Sequence, residues 1–121
     1  MQELTKAEET IMYCIWKLGN NVCTTDIMTC LKENYGKEYV NTTLCVFMSY
    51  LRKKKYVGYH KHGNTYLYYP LVTRQEYRKR QIEQLLNGCF EGSVVALFKT
   101  IILNASEDEK KLILKLMAEQ E

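Results

Sequence analysis

Apolar residues recur at helical spacing in three successive segments of the first half of the chain. The first segment follows Thr5 and Glu8, which have the spacing of a capping box, in which each side chain bonds to the other residue's backbone N–H. A second helix is predicted to begin at Cys23 or Thr24. A third is predicted to begin near Asn41 as its N-cap, and its apolar stripe has the i, i+3, i+4, i+7 spacing of a core-facing helix: Leu44, Phe47, Met48 and Leu51.

Two short segments that favour strands come next, at residues 57–61 and 65–69. The residues between them, His62, Gly63 and Asn64, are a tight-turn signal, so the two segments are predicted to form a β-hairpin. Pro70 is expected to end the second strand because it has no N–H to donate. Three helices followed by a hairpin is the order of a winged helix-turn-helix, in which the third helix enters the major groove of DNA and the hairpin is the wing.

The remainder of the chain is predicted to be helical. Thr73 and Glu76 form a second capping box, which opens a helix that runs to about Asn87, and Ser106 and Glu109 form a third. Three helices in so short a segment cannot bury their apolar surface alone, so a twofold dimer is expected, with folding back on the first domain as the alternative. The predicted dimerisation residues are Val94, Leu97, Phe98, Ile101, Ile102, Leu112, Ile113 and Leu116.

The predicted fold class is therefore mainly α with a small β-hairpin. Residues 1–71 are predicted to form a winged helix-turn-helix DNA-binding domain, and residues 72–121 a helical dimerisation domain. No apolar run approaches the roughly 20 residues that a membrane span needs, and the start of the chain lacks the basic and apolar segments of a signal peptide. We therefore expect a cytoplasmic protein without membrane insertion.

Positive charge is concentrated in the middle of the chain. Residues 39–80 carry nine Lys and Arg against one acid, a net charge of +8, whereas the segments before and after it have net charges of −2 and −3. A basic stripe on a helix and an adjacent hairpin is suited to DNA phosphates, and acidic flanks focus the field. A solvated basic face is the alternative, but this run coincides with two consecutive elements rich in tyrosine.

The candidate DNA-binding residues lie on the third helix and on the hairpin. Thr42 and Thr43 begin the helix, where N–H groups and hydroxyls meet phosphate, although simple capping is compatible with the same residues. Cations also stabilise a helix C-terminus, so only about half of the basic residues there need contact DNA. The full set is Thr42, Thr43, Cys45, Val46, Ser49, Tyr50, Lys53, Lys54, His60, Lys61 and His62.

Metal binding and catalysis have little support in the sequence. The five cysteines are widely and irregularly spaced, without a C-x-x-C pair and without a histidine at ligand spacing, so no cofactor or metal is predicted. Glycine-rich phosphate loops, paired carboxylates and nucleophile–histidine relays are missing too, and we do not expect an enzyme. Two alternatives to DNA-binding repression stay open: a metal- or thiol-responsive winged-helix regulator, and a winged helix used for protein interaction.

Four segments in register resemble the penicillinase and methicillin repressor (BlaI/MecI) family. They match the family's first helix, recognition helix, wing and the start of its dimerisation segment, and together they cover essentially the whole chain. In chain order they are Leu4-Thr5-x-Ala7-Glu8-x-x-Ile11-Met12-x-x-Ile15-Trp16, Thr43-Leu44-x-x-Phe47-Met48-x-x-Leu51-x-Lys53-Lys54, Gly63-Asn64-x-Tyr66-x-Tyr68-Tyr69-Pro70 and Phe90-x-Gly92-Ser93.

The resemblance implies a homodimeric repressor whose winged helices bind a palindromic double-stranded DNA operator. In the best-known members a membrane sensor protease responds to β-lactam, and the repressor is cleaved in its dimerisation region. Copper-responsive relatives instead carry a cysteine cluster near the C-terminus.

This chain departs from the family pattern in three places. Cys45, Val46 and Tyr50 replace a basic or polar residue, a threonine and an arginine, so apolar contact with thymine methyls is expected to matter more. The Asn–Phe cleavage pair is missing near Thr100-Ile101, and Cys89 stands alone where copper-type relatives have a cluster. The sequence therefore assigns neither β-lactam nor copper as the inducing signal.

Overall fold

The structure, a computed structural model, describes residues 1–120 and is mainly helical with one antiparallel β-hairpin, which confirms the predicted fold class. The chain forms two compact units, Met1–Tyr77 and Arg78–Glu121. Its elements in chain order are α1 (Lys6–Leu18), α2 (Thr24–Tyr35), α3 (Asn41–Lys53), β1 (Val57–His62), β2 (Thr65–Pro70), α4 (Arg74–Asn87), α5 (Val94–Asn104) and α6 (Glu107–Glu119).

All three predicted capping boxes are present. In the first, Glu8 N–H donates to Thr5 Oγ1 at 3.2 Å and Thr5 N–H donates to Glu8 Oε1 at 2.8 Å. The same reciprocal pair of bonds opens α4 and α6, where the threonine or serine lies three residues before its glutamate. Each box satisfies backbone N–H groups that a helix start would otherwise leave without partners, and this fixes where the helix begins.

The start of α3 differs from the prediction, because Asn41 is not its N-cap. Val40 is the N-cap: its backbone is extended, with φ −75° and ψ 159°, and its carbonyl accepts the N–H of Leu44 at 3.1 Å. Asn41 is instead the first helical residue, and no side chain caps this terminus. The first-turn N–H groups of α3 are therefore left without a side-chain acceptor, which bears on the site described below.

The core of the first unit brings α1, α2, α3 and the base of the hairpin together. Three of the four stripe residues predicted for α3 are fully buried in it, and the fourth, Phe47, is half-buried, with its ring centroid 5.4 Å from that of Tyr39. The largest buried side chains are Ile11, Met12, Ile15, Ile27, Leu31, Leu44, Met48, Leu51 and Tyr56. This packing directs the opposite face of α3 to the surface.

The hairpin is attached to the helices through its second strand. Tyr68 exchanges two backbone hydrogen bonds with Val22, at 2.8 and 2.9 Å, so the short segment between α1 and α2 pairs with β2. Gly63 has a φ of +63° at the first of the two turn residues, a conformation that glycine adopts without strain in tight hairpin turns. Pro70 is the last residue of β2, opposite Val57.

Hydrogen bonds from the side chains of Trp16 and Tyr77 hold the start of α4 against α1. Trp16 Nε1–H donates to the carbonyl oxygen of Val72 at 2.8 Å, and its ring centroid lies 5.3 Å from that of Tyr77. The Tyr77 hydroxyl donates to the Glu9 carboxylate. Burial and this bond both raise the pKa of Tyr77 above its ordinary value. These contacts fix the last residues of the first unit against its first helix.

The second unit exposes most of its apolar side chains. Leu97 is buried, but Leu103 is 84% exposed and Leu112 is 60% exposed. No helix among residues 1–120 has the length and apolar character that crossing a bilayer requires. Large apolar side chains of α5 and α6 are thus exposed.

Candidate nucleic-acid interface

The outer face of α3 presents six of the eleven candidate DNA-binding residues to solvent: Thr42, Thr43, Cys45, Val46, Tyr50 and Lys53. They are exposed because Leu44, Met48 and Leu51 occupy the inner face, and helix geometry places the two sets on opposite sides. Ser49 is half-buried at the edge of this face. The exposed surface combines hydroxyl groups with methyl groups, and Val46 is 52% exposed at its centre. Such a surface can meet both phosphates and thymine methyls.

The N-terminus of this helix is suited to an anion. It lacks a side-chain cap, and its first turn contains no acidic residue. The two exposed threonines of that turn add hydroxyl donors next to the unpartnered N–H groups. The helix dipole gives this end a partial positive charge, which favours a phosphate oxygen.

At the other end of α3 the basic residues separate into two groups. Arg52, Lys53 and Lys55 are exposed, whereas Lys54 is turned inward and its Nζ lies 2.6 Å from Oε1 of Glu8. The same Nζ donates to the carbonyl oxygen of Glu3 at 3.0 Å. Lys54 therefore links the end of α3 to the start of α1. It does not belong to the group of exposed cations at this end of the helix.

Glu8 is the buried partner in this ion pair, with 2% of its side chain exposed. Burial alone raises the pKa of a carboxyl group, but here the bonds from Lys54 and Thr5 outweigh burial, and the pKa of Glu8 lies below its ordinary value. The carboxylate is therefore ionised at neutral pH and depends on Lys54 for its charge balance. Among the described residues its second oxygen, Oε2, has no hydrogen-bond partner.

The register of the hairpin places the candidate residues of the wing on two faces. Tyr59 is opposite Tyr68 and Lys61 is opposite Tyr66, and paired residues of antiparallel strands share a face. His60 and His62 alternate with them and therefore lie on the other face. The three wing residues predicted to bind DNA are thus not brought together on one surface.

On the second face, His60 packs on an aromatic ring. Its ring stacks on that of Tyr69, with centroids 4.8 Å apart and an interplanar angle of 27°. The Tyr69 ring also lies over Gly58, where an added Cβ would come within 2.5 Å of it. The glycine therefore leaves room for the tyrosine ring beside His60.

Three cations near α3 and the wing lie over tyrosine rings. The guanidinium carbon of Arg52 is 4.7 Å from the centroid of Tyr59, and Lys61 Nζ is 5.9 Å from that of Tyr66. Lys53 Nζ is 6.0 Å from the ring of Tyr50. Arg52, Tyr59 and Tyr66 were not among the candidates from the sequence. The alternation of strand residues, which puts positions 59, 61, 66 and 68 on one face, was the signal that could have found the tyrosines.

The predicted dimerisation residues all lie in the second unit, on α5 and α6. Leu97 is buried, whereas Ile102 and Ile113 are half-buried. The remaining five are exposed: Val94, Phe98, Ile101, Leu112 and Leu116. An open groove of about 400 Å³ in the same unit is lined mainly by apolar groups, among them Leu85, Phe90, Leu97, Ile101 and Ile113.

The cysteines are dispersed over the chain. Cys14 and Cys30 are buried, Cys23 is half-buried, and Cys45 and Cys89 are exposed, all as free thiols. Burial, followed by a hydrogen bond with Cys30, raises the pKa of the Cys14 thiol to about 12. Within residues 1–120, no three His, Cys, Asp or Glu side chains are grouped so that they could hold a metal ion.

Comparison with known proteins gives one family and a related fold. The family model described as penicillinase repressor matches residues 4–119. Among solved structures, the chain is similar to one titled "Solution structure of the DNA binding domain of the repressor BlaI", with 24% sequence identity and a TM-score of 0.52. The similarity covers 64% of this chain and 94% of that one, and at this identity it shows the winged-helix fold alone. The search of curated proteins returned no match.

Proposed function

This chain belongs to the penicillinase repressor family, a family of DNA-binding transcriptional repressors, and from that premise we propose that it binds a palindromic operator as a homodimer. The family match confirms the resemblance seen in the sequence. The observation that carries the proposal is the outer face of α3, which combines an uncapped helix start, a central face of small side chains and exposed cations at its end.

In the proposed complex α3 lies in the major groove. Thr42 and Thr43 contact a phosphate together with the first-turn N–H groups, and Val46 with Ser49 faces the base edges. Lys53 and Lys61 neutralise phosphates on either side of the groove, and the +8 charge of residues 39–80 attracts the duplex at longer range. Contacts to phosphate supply the affinity, and contacts to base edges supply the specificity.

The homodimer is proposed because the second unit exposes a large apolar surface. Val94, Ile101, Leu112 and Leu116 are all exposed, and a second copy presents the same residues to them across a twofold axis. Residues 1–71 are proposed as the DNA-binding domain and residues 72–121 as the dimerisation domain. A twofold dimer carries two recognition helices, which requires an operator with inverted half-sites.

The membrane sensor protease that the family resemblance implies as a partner would find no Asn–Phe cleavage pair in this chain. In this chain Thr100 and Ile101 occupy the place of the family's cleavage pair, and both lie inside α5.

The test is the salt dependence of DNA binding by the full chain, measured by fluorescence anisotropy with a labelled duplex. Log affinity should fall linearly with log salt, with a slope of about −0.9 for each phosphate neutralised. Lys53→Ala and Lys61→Ala should each reduce the slope by about one such unit, on specific and random duplexes alike. Lys111→Ala, in α6, makes the same change in net charge and should leave the slope unchanged. Absence of DNA binding at low salt, or an affinity that does not change with salt concentration, would contradict the proposal.

A further inference from the structure

A continuous set of aromatic rings and cations connects the end of α3 with the tip of the wing. The Arg52 guanidinium covers one side of the Tyr59 ring, and Tyr59 meets Tyr66 edge to face, with centroids 5.1 Å apart and an interplanar angle of 74°. The ammonium group of Lys61 lies over the Tyr66 ring. We call Arg52, Tyr59, Tyr66 and Lys61 the wing array.

The array is held in place at its base. Tyr59 is opposite the buried Tyr68 in the hairpin, and their ring centroids are 6.4 Å apart. Tyr68 is in turn bonded through its backbone to Val22. The position of Tyr59 is therefore set by the core of the first unit, and the contact with Arg52 spans the gap between α3 and the wing.

Both cations of the array keep their charge available to a ligand. Among the described residues neither Arg52 nor Lys61 forms a salt bridge, and a ring face orients a cation without neutralising it. Tyr59 and Tyr66 are each 43% exposed, so the array lies at the surface. Two oriented positive groups, on a face that extends from α3 along the wing, match the repeated charges of a nucleic-acid backbone.

We propose that Arg52 and Lys61 bind two DNA phosphates beside the wing, and that Tyr59 and Tyr66 are positioning residues that hold these two cations in the binding orientation. This inference rests on the proposed DNA-binding function and adds Arg52 and both tyrosines to the interface. The tyrosines act through the cations, because Arg52 lies over one face of the Tyr59 ring and Lys61 over one face of the Tyr66 ring. An exposed cation–π contact is worth about a two- to fivefold change in affinity.

The experiment is a double-mutant cycle on the full chain, read out as DNA affinity and as salt slope. Tyr59→Leu, which removes the ring face, should weaken binding about two- to fivefold with little change in slope. Arg52→Met should reduce the slope by about 0.9, the value for one phosphate contact. Because Tyr59 acts only through Arg52, the double variant should bind no more weakly than Arg52→Met alone. The conservative variant Tyr59→Phe keeps the ring face and should rescue the loss seen with leucine.

Two results would overturn the inference. If the losses from Tyr59→Leu and Arg52→Met multiply in the double variant, the two residues act independently. If Tyr59→Phe loses as much affinity as Tyr59→Leu, the hydroxyl is the contact and the ring is not a positioning group. A parallel cycle with Tyr66→Leu and Lys61→Met tests the second pair of the array. If Tyr59→Leu does not fold, this second cycle shows whether a tyrosine acts through its cation. Failure of the wild-type chain to bind DNA would instead refute the proposed function, so the two failures are distinguishable.

Discussion

Replacing Lys54 by methionine should destabilise the protein while leaving the DNA affinity of the folded state unchanged. In the structure Lys54 Nζ donates hydrogen bonds to Glu8 Oε1 at 2.6 Å and to the carbonyl oxygen of Glu3 at 3.0 Å. Methionine keeps most of the aliphatic stem and removes the charge. The buried Glu8 carboxylate would then lose its charged partner without any compensation.

The expected decrease in the free energy of unfolding can be estimated from the burial of the Glu8–Lys54 ion pair. Breaking a buried ion pair by removing one partner costs about 3–5 kcal/mol, because the other charge is left buried. Lys54 is 22% exposed, so water can reach the site and the cost should lie at the lower end, about 3 kcal/mol. For a domain of this size, such a loss lowers the midpoint of thermal unfolding by at least about 10 °C.

The assay is thermal and urea unfolding of each variant at one fixed protein concentration, together with anisotropy titrations at a temperature where all variants are folded. Lys53→Met is the matched control, because Lys53 is the exposed neighbour of Lys54 in sequence and loses the same charge. It should change stability by no more than about 0.5 kcal/mol but should weaken DNA binding. Replacing both partners, with Glu8→Gln and Lys54→Met together, should recover most of the lost stability.

The pH dependence provides a second check. Because the pKa of Glu8 is lowered in the folded protein, the pair contributes stability at pH values above the ordinary pKa of a glutamate. That contribution is lost as the pH falls through the lowered pKa, so the difference between wild type and Lys54→Met should shrink in acid. An unchanged unfolding midpoint, or a loss of DNA affinity as large as that of Lys53→Met, would refute the structural role of Lys54.

Two further predictions concern the dimer and the recognition helix. Replacing Ile101 and Leu116 by lysine should convert the proposed dimer into a monomer, because both side chains lie exposed on the apolar surface of the second unit. Sedimentation at micromolar concentration measures the oligomeric state, and a wild-type monomer at high concentration would exclude the dimer. Val46→Thr should alter base preference without changing the salt slope, because the residue is exposed on the groove face and uncharged. Selected-site sequencing of both proteins measures this, and identical preferences would show that position 46 does not contact the bases.

Elements that depend on local chemistry could be predicted from the sequence. The capping boxes at Thr5, Thr73 and Ser106 act within one helical turn, so residue type and spacing determine them. Asn41 was mispredicted because a favourable cap residue need not take the cap position. With Val40 as N-cap, its carbonyl accepts the first intrahelical hydrogen bond from the N–H of Leu44, whose side chain reaches the core.

Features that depend on contacts distant in sequence could not be predicted. Lys54 resembled the other basic residues at the end of α3, but its partner Glu8 is 46 residues away in the chain. The contact between Arg52 and Tyr59 likewise depends on the angle between α3 and the hairpin, which no local pattern encodes. Leu97 has the same apolar character as its neighbours on α5, and packing within the unit sets it apart from them.

Operator binding by a twofold dimer of this chain through α3 is tested most directly by selecting binding sites from a random duplex library with the whole 121-residue chain. We expect an inverted repeat whose half-site centres are separated by about 10–10.5 base pairs, or a multiple of that distance, because a twofold dimer would place its two recognition helices in successive major grooves. An A·T-rich preference without any dyad would contradict it, since it would mean that the chain binds DNA without the twofold readout on which the proposed function depends.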